Sequence, residues 1–143
     1  MNHKELVEKA KFWLMSAKGC NPVFTEKGSS ASSEMPDAIG WNANDCIVVE
    51  CKTSKSDLLA DRKKEFRTNG LGMGTQRYYL LPIELYETVR DDFDFMDFGV
   101  VVVFPSGKTE QVRFKHSSKF VSNERAEIYY LRNRILEIQQ FGR

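Results

Sequence analysis

The spacing of apolar and polar residues divides the chain into segments of helical period and segments of strand period. Apolar residues recur every three or four positions in residues 3–17, in residues 55–67 and in the tail from about Ser122, which predicts three helices. A shorter helix is expected from Pro82 to about Arg90. The strand patterns are Val23–Thr25, Asp37–Trp41, Cys46–Thr53, Arg77–Leu81, Phe98–Phe104 and Glu110–Lys115.

Two of the predicted helices carry recognisable end signals. Gly19 is a suitable C-terminal stop for the first helix, because glycine tolerates the left-handed conformation that often closes a helix. Ser54, with Asp57 three positions later, has the pattern of a capping box at the start of the second. In the tail, an apolar stripe at helical spacing is expected to define one face. The stripe consists of Ile128, Leu131, Ile135 and Ile138.

Length and composition indicate one folded domain that covers residues 1–143. A chain with 41% hydrophobic and 29% charged residues has the composition of an ordinary globular domain, and it contains no internal repeat or linker. No apolar run approaches the roughly 18 residues that a membrane-spanning helix needs. The start of the chain also lacks the apolar core of a secretory signal, so we expect no association with a membrane.

The cysteines, the histidines and the net charge limit the kinds of site and of partner that the protein can have. Three cysteines with no CxxC pair argue against a disulfide framework and against a structural zinc site, and a reducing cytoplasm is the expected compartment. Cys46 and Cys51 lie in an apolar strand, where buried free thiols are expected. His3 and His116 are isolated in the sequence, and neither is assigned a catalytic role. With 21 Lys plus Arg against 20 Asp plus Glu, the net charge is +1. Any nucleic-acid binding must therefore depend on the local distribution of charge.

The hairpin formed by the second and third predicted strands brings two carboxylates together. A two-residue turn at 43–44 and a four-residue loop at 42–45 close it in the same register, because both keep the same sum of paired residue numbers. In that register Asp37 lies opposite Glu50, with Cβ atoms about 4.5–5.5 Å apart. Side chains alternate along a strand, so Lys52 projects on the same face as Glu50, roughly 7 Å further along.

Two opposed carboxylates repel each other, and a strand pair that served only stability would avoid them. A divalent cation removes the repulsion, because hard cations such as Mg²⁺ bind through carboxylate oxygens. Asp37 and Glu50 are therefore predicted metal ligands, and the backbone carbonyl of Cys51 is a further candidate. Lys52 would orient an attacking water or stabilise charge on a phosphate, and an electrostatic role is preferred to that of a general base. The simpler alternative is a pair of surface carboxylates with Lys52 as a salt-bridge partner.

The sequence Pro36-Asp37, followed by Glu50-Cys51-Lys52, resembles the signature of the PD-(D/E)XK nucleases. The segments 55–63 and Arg77-Tyr78-Tyr79-Leu80 are similar to the MmcB-like branch and to related small phage or bacterial proteins. The resemblance covers residues 3–82 well and the remainder loosely. It implies a restriction-endonuclease-like α/β fold: an α-β-β-β-α-β core with a mixed central sheet flanked by helices, and an added C-terminal hairpin and helix.

The resemblance also implies an activity, the Mg²⁺-dependent hydrolysis of DNA phosphodiester bonds by an endodeoxyribonuclease, with Mn²⁺ as a substitute metal. The catalytic residues would be Asp37, Glu50 and Lys52, and the role would be DNA repair or the processing of phage or mobile-element DNA. Many nucleases of this class take another carboxylate from the first helix. Glu5 and Glu8 are both candidates, and Glu26 is a third. By analogy, cutting of duplex DNA would often require a homodimer.

Contacts to DNA are expected from basic and polar residues near this hairpin. The candidates are Lys55, Arg62, Lys63, Gln76 and Arg77. Acidic residues interleave with the basic ones in the helix at 55–67, so an ordinary solvated face is the alternative there. The alternative to an enzyme is a catalytically silent nuclease-fold module that binds DNA or a protein partner. The intact Asp37, Glu50 and Lys52 favour activity, since a binding module needs no costly carboxylate pair.

Overall fold

The computed structural model describes residues 1–25, 36–62, 72–114 and 123–141, except for the side chains of Arg62 and Phe141. The elements in these residues follow the order helix, three strands, helix, strand, helix, two strands and helix. They are α1 (His3–Ala17), β1 (Val23–Thr25), β2 (Ala38–Trp41), β3 (Cys46–Cys51), α2 (Lys55–Arg62), β4 (Gln76–Pro82), α3 (Ile83–Val89), β5 (Gly99–Val103), β6 (Thr109–Arg113) and α4 (Glu124–Phe141).

The predicted elements are present, and their described ends lie within about two residues of the predicted ones. The order α-β-β-β-α-β, followed by a hairpin and a helix, agrees with the expectation, with α3 placed as predicted after β4. Gly19 follows the end of α1 with a φ of 62°, as expected for a helix stop. Residues 63–67 of the second predicted helix, and Lys115 of the last predicted strand, lie outside the described residues.

The strands form one mixed sheet with the spatial order β1-β2-β3-β4-β5-β6. β1, β2 and β3 are antiparallel neighbours, β3, β4 and β5 are parallel, and β6 returns antiparallel to β5. The parallel pairs are possible because a segment that contains a helix separates β3 from β4 and β4 from β5. The architecture is therefore α/β with a mixed sheet, as predicted.

Different helices cover the two faces of the sheet. On one face α1 packs against alternate strand residues, in a cluster that includes Leu6, Leu14, Ile47, Val49, Leu80 and Val101. On the other face lie α2 and α3, with Leu58, Tyr79, Leu81, Val89, Val100 and Val102. α4 joins that second face through Ile39, Cys46, Val48 and Tyr130. Because side chains alternate along a strand, Glu50 shares the second face with Cys46 and Val48.

α4 packs through a face that its apolar stripe did not predict. Tyr130 is 1% exposed and lies among β2 and β3 residues, and Glu127 accepts a hydrogen bond from the Trp41 indole at 3.2 Å. Three of the four stripe residues lie on the outer surface instead: Ile128, Ile135 and Ile138 are 65%, 53% and 52% exposed, whereas Leu131 is partly buried. The stripe therefore predicted the helix correctly, but it did not predict which face of the helix is buried.

Replacing Tyr130 with alanine should lower the free energy of unfolding by about 3–5 kcal/mol, because the change removes a fully buried aromatic ring. Ile135→Ala, on the same helix, should change it by no more than about 0.5 kcal/mol, since that side chain is mostly in solvent. Urea unfolding followed by circular dichroism measures both variants. Equal losses in the two variants would contradict this packing of α4.

Cys20, Cys46 and Cys51 are free, buried thiols, so the burial expected for Cys46 and Cys51 is confirmed. Over the part of the chain that the structure describes, no helix is both long enough and apolar enough to cross a bilayer.

Candidate active site

The β2–β3 hairpin has the register that the turn sequence predicted. Pairing runs from Trp41 and Cys46 at the turn to the first residue of β2, and every pair keeps the same sum of residue numbers. A backbone hydrogen bond of 3.0 Å between the residues that flank the 43–44 turn closes the hairpin. Continued by one position, this register places Asp37 across from Glu50, just before the start of β2.

The Asp37 carboxylate is held at the open end of the hairpin by two contacts. Its Oδ2 accepts a hydrogen bond from the backbone N–H of Cys51 at 2.8 Å. Its Oδ1 lies 3.3 Å from Nε2 of His3, at the start of α1. The first contact ties Asp37 directly to the strand that carries Glu50. The second shows that His3, isolated in the sequence, is a neighbour of the predicted site in space.

The backbone carbonyl of Cys51 faces the β2 side of β3, the side on which Asp37 lies. In an extended strand the N–H and C=O groups of one residue face the same neighbouring strand, and successive residues face opposite neighbours. The N–H of Lys52 donates to the Leu80 carbonyl of β4 at 3.1 Å, whereas the N–H of Cys51 donates to Asp37. The carbonyl of Cys51 is therefore on the Asp37 side, as its predicted role as a metal ligand requires.

The Lys52 ammonium pairs with the carboxylate of Asp61 and interacts electrostatically with those of Glu50 and Asp37. Its Nζ is 3.1 Å from Oδ1 of Asp61, and each of these side chains is 13% exposed. Burial lowers the pKa of Lys52, but the charges of Asp61, Glu50 and Asp37, together with a hydrogen bond to Asp61, outweigh burial and raise the pKa. The group is therefore an ammonium at neutral pH, which can donate hydrogen bonds but cannot accept a proton.

Asp61 was not among the predicted site residues, and α2 brings it into contact with Lys52. Its Oδ2 accepts a hydrogen bond from the hydroxyl of Tyr79 at 2.8 Å, and Tyr79 is the β4 residue paired with Glu50. The sequence did contain a signal. Asp61 lies three positions after the buried Leu58, so it is on the inward side of the helix, where a carboxylate needs a cationic partner.

The start of α2 is fixed by the predicted cap. Oγ of Ser54 accepts a hydrogen bond from the N–H of Asp57 at 3.2 Å, and Oδ2 of Asp57 accepts one from Oγ1 of Thr53 at 2.9 Å. The hydrogen bond from the Thr53 hydroxyl is the main reason why the pKa of Asp57 lies below its ordinary value. These hydrogen bonds satisfy backbone donors at the first turn of α2, so they stabilise the N-terminal end of the helix.

The carboxylate expected from the first helix is not identified. Glu5 and Glu8 are both exposed on α1, and the α1 residue that contacts Asp37 is His3. Glu26, the third candidate, lies outside the described residues. Within residues 1–25, 36–62, 72–114 and 123–141, no three His, Cys, Asp or Glu side chains form a group that could hold a metal ion.

The hairpin nevertheless offers a set of oxygen donors: the carboxylates of Asp37 and Glu50 and the carbonyl of Cys51. Mg²⁺ is commonly bound through one or two carboxylates, while waters and substrate oxygens complete its octahedral shell. These residues therefore fit Mg²⁺ or Mn²⁺. They fit zinc poorly, because structural zinc sites use four thiolate or imidazole ligands.

Three of the residues predicted to contact DNA belong to α2 or follow it. Lys55 is exposed at the first position of the helix and stays a candidate. The side chain of Arg62 and all of Lys63 lie outside the described residues, so their predicted contacts stay predictions.

The other two predicted DNA contacts are not supported by the positions of Arg77 and Gln76. Arg77 is 3% exposed, and its guanidinium donates to the carbonyl of Met73 at 2.6 Å, so it holds the chain that leads into β4. Gln76 accepts a hydrogen bond from the Tyr78 hydroxyl at 2.8 Å. Gln76 lies three positions before Tyr79, the β4 residue that pairs with Glu50. Because side chains alternate along a strand, Gln76 projects on the opposite face of the sheet, away from the carboxylates.

Comparisons with known proteins identify the fold and leave the activity open. No protein-family model matches the chain, and no curated protein matches it. Among solved structures, the chain is similar to the "SPO1766 protein of unknown function from Silicibacter pomeroyi", with a TM-score of 0.67 and 15% sequence identity. The match covers 99% of this chain and 93% of that one, so the two proteins share an α/β fold over nearly their whole length.

Proposed function

We propose that the protein is a metal-dependent nuclease of the PD-(D/E)XK type that hydrolyses DNA phosphodiester bonds. The proposal is supported by the hairpin register, which continued by one position places Asp37 across from Glu50. It is supported further by the electrostatic interaction of Lys52 with both carboxylates. Phosphodiester hydrolysis needs carboxylates that bind a cation and a positive charge beside it. Asp37 and Glu50, opposed in the register of the hairpin, provide the carboxylates. Lys52, two residues after Glu50, provides the positive charge.

Each of these residues has a distinct role in the proposal. Asp37 and Glu50 bind Mg²⁺, or Mn²⁺ in its place, and the Cys51 N–H keeps the Asp37 carboxylate in a fixed orientation. When bound, such a cation acts as a Lewis acid that activates water and neutralises charge on the phosphate. Lys52 donates hydrogen bonds to a phosphate oxygen and stabilises the negative charge that develops during attack.

The wider setting belongs to the same proposal. We place the enzyme among the restriction-endonuclease-like proteins, with a role in DNA repair or in the processing of phage or mobile-element DNA. The three buried thiols suit a reducing cytoplasm. An enzyme of this size that cuts both strands of a duplex would do so as a homodimer, with one active site for each strand.

Purified protein should cut DNA when Mg²⁺ or Mn²⁺ is present and should stop when the metal is chelated. The assay uses end-labelled single-stranded, duplex and branched DNA, with each metal titrated and EDTA added as the reversal step. Asp37→Asn protein, purified in the same way, controls for contaminating nucleases. If the wild type cuts none of these substrates and binds neither metal, the enzyme assignment is wrong.

The second candidate is a catalytically silent nuclease-fold module that binds DNA or a protein partner. It is favoured by the outer face of α4, where Ile128, Ile135 and Ile138 are each more than half exposed. Exposed apolar groups of this kind suit protein binding better than catalysis. Binding of DNA or of a protein without any cleavage in saturating Mg²⁺ would select this candidate over the enzyme.

A further inference from the structure

A series of polar contacts links three elements beside the candidate active site. Lys52, directly after β3, pairs with Asp61 of α2 at 3.1 Å, and Asp61 accepts the hydroxyl hydrogen bond of Tyr79 from β4 at 2.8 Å. Tyr79 is fully buried, and both members of the ion pair are largely buried. Asp61 therefore uses one carboxylate oxygen for the ammonium and the other for the hydroxyl, which fixes the orientation of its carboxylate.

Lys52 needs such an anchor because several carboxylates compete for it. Its four-carbon stem is flexible, and its ammonium is a compact charge that any nearby carboxylate attracts. Asp37 and Glu50 both exert this attraction on Lys52. Without Asp61, the attraction of those two carboxylates would draw the ammonium toward them and would partly neutralise the charge available to a divalent cation.

We propose that Asp61 is a positioning residue, which holds the Lys52 ammonium beside the carboxylates of Asp37 and Glu50 and keeps it from neutralising them. The inference rests on the proposed nuclease function and adds a residue to its site. Asp61 acts through Lys52 and contacts neither the metal nor the substrate. Tyr79 supports it by fixing its second oxygen.

A purely structural ion pair is the competing explanation, and it predicts a different response to substitution. Breaking a buried pair destabilises a protein, because it leaves an uncompensated charge. If Asp61 only stabilised α2, its loss would reduce activity by the same factor whichever residue stood at position 52. If Asp61 positions Lys52, its loss matters only while Lys52 is present.

A double-mutant cycle in single-turnover cleavage separates these explanations. In the wild-type background, Asp61→Asn should lower kcat by about 10–100-fold, as is typical when the partner of an active-site group is lost, with little change in KM. In the Lys52→Ala background, the same substitution should lower kcat by less than about twofold. Asp61→Glu, which keeps the charge, should recover part of the loss.

Two further variants guard against an effect of folding alone. Ser54→Ala removes the α2 cap, at a cost of about 1 kcal/mol, and should leave kcat within about twofold of the wild type. Tyr79→Phe keeps the ring and removes only the hydroxyl bound to Asp61, so it should lower kcat less than Asp61→Asn does. If Asp61→Asn does not fold, Tyr79→Phe serves as the test variant. The reduction in kcat that it causes should also vanish in the Lys52→Ala background.

Equal fold-losses from Asp61→Asn in the two backgrounds would overturn the inference, as would a loss no larger than that of Ser54→Ala. Either result, obtained with an active wild type, leaves the nuclease proposal intact. A wild type that cuts no substrate has a different meaning, since it overturns the proposed function and the role of Asp61 with it.

Discussion

Asp37→Asn should reduce metal-dependent DNA cleavage by on the order of 10³-fold, which corresponds to about 4 kcal/mol of transition-state stabilisation. Asparagine is uncharged, so the hairpin loses one of its two anionic metal ligands. The amide oxygen can still accept the hydrogen bond from the Cys51 N–H, so the hairpin should keep its register. The unfolding free energy should change by no more than about 1 kcal/mol, since the partly exposed contact with His3 contributes little.

Three measurements check this result. Single-turnover cleavage gives the rate, calorimetry gives the affinity for Mg²⁺ and Mn²⁺, and urea unfolding shows that the fold survives. Metal affinity should fall at least about tenfold, given that even the partners of metal ligands contribute this much. Asp92→Asn, which removes an exposed carboxylate after α3, is the matched control and should cut like the wild type. Unaltered metal affinity in Asp37→Asn would show that Asp37 is not a ligand.

Lys52→Ala should lower kcat by about 10²–10³-fold, the range found when one hydrogen-bond donor to a developing oxyanion is removed. The loss should appear in kcat more than in KM, because the ammonium stabilises charge that is largest in the transition state. Affinity for Mg²⁺ should hold or rise, since a positive charge that repels the cation has been removed. In this respect the variant should differ from Asp37→Asn, which loses both rate and metal affinity.

The control for Lys52→Ala is Lys108→Ala, which removes an exposed ammonium in the turn between β5 and β6. Lys52→Met keeps most of the aliphatic stem and separates loss of charge from loss of packing. Both Lys52 variants should show the same reduction in kcat if the charge is what matters. Full activity in Lys52→Ala would remove this residue from the mechanism.

The hairpin is the part of the candidate site that could be predicted well from the sequence. Its turn at 43–44 and the alternation of its strands act over short stretches of chain, so only a few registers compete. The observed pairing of Trp41 with Cys46 is one of the two closures that the sequence allowed, and both closures bring Asp37 opposite Glu50. The direction of the Cys51 carbonyl follows from the same pattern of backbone hydrogen bonds along β3.

Residues outside the hairpin were harder to assign, because their surroundings come from distant parts of the chain. Arg77 is of a residue type that often contacts DNA. It is nevertheless buried in the interior, where its guanidinium donates a hydrogen bond to the Met73 carbonyl. Asp61 looked like one of several acidic residues on a solvated helix. Its contacts with Lys52 and Tyr79 exist only because α2 packs beside β3 and β4.

By itself, the sequence determined which segments form helices and strands and how β2 pairs with β3, because period, turn residues and short-range closure set these features. Only the tertiary structure decided which side of α4 is buried, where the exposed Ile128 and the buried Tyr130 lie two residues apart. It also decided that Asp61 and His3 reach the site of Asp37, Glu50 and Lys52. The physical reason is the same in each case: burial and ion pairing depend on what the rest of the chain places opposite a side chain, and periodicity within one element carries no information about its partner.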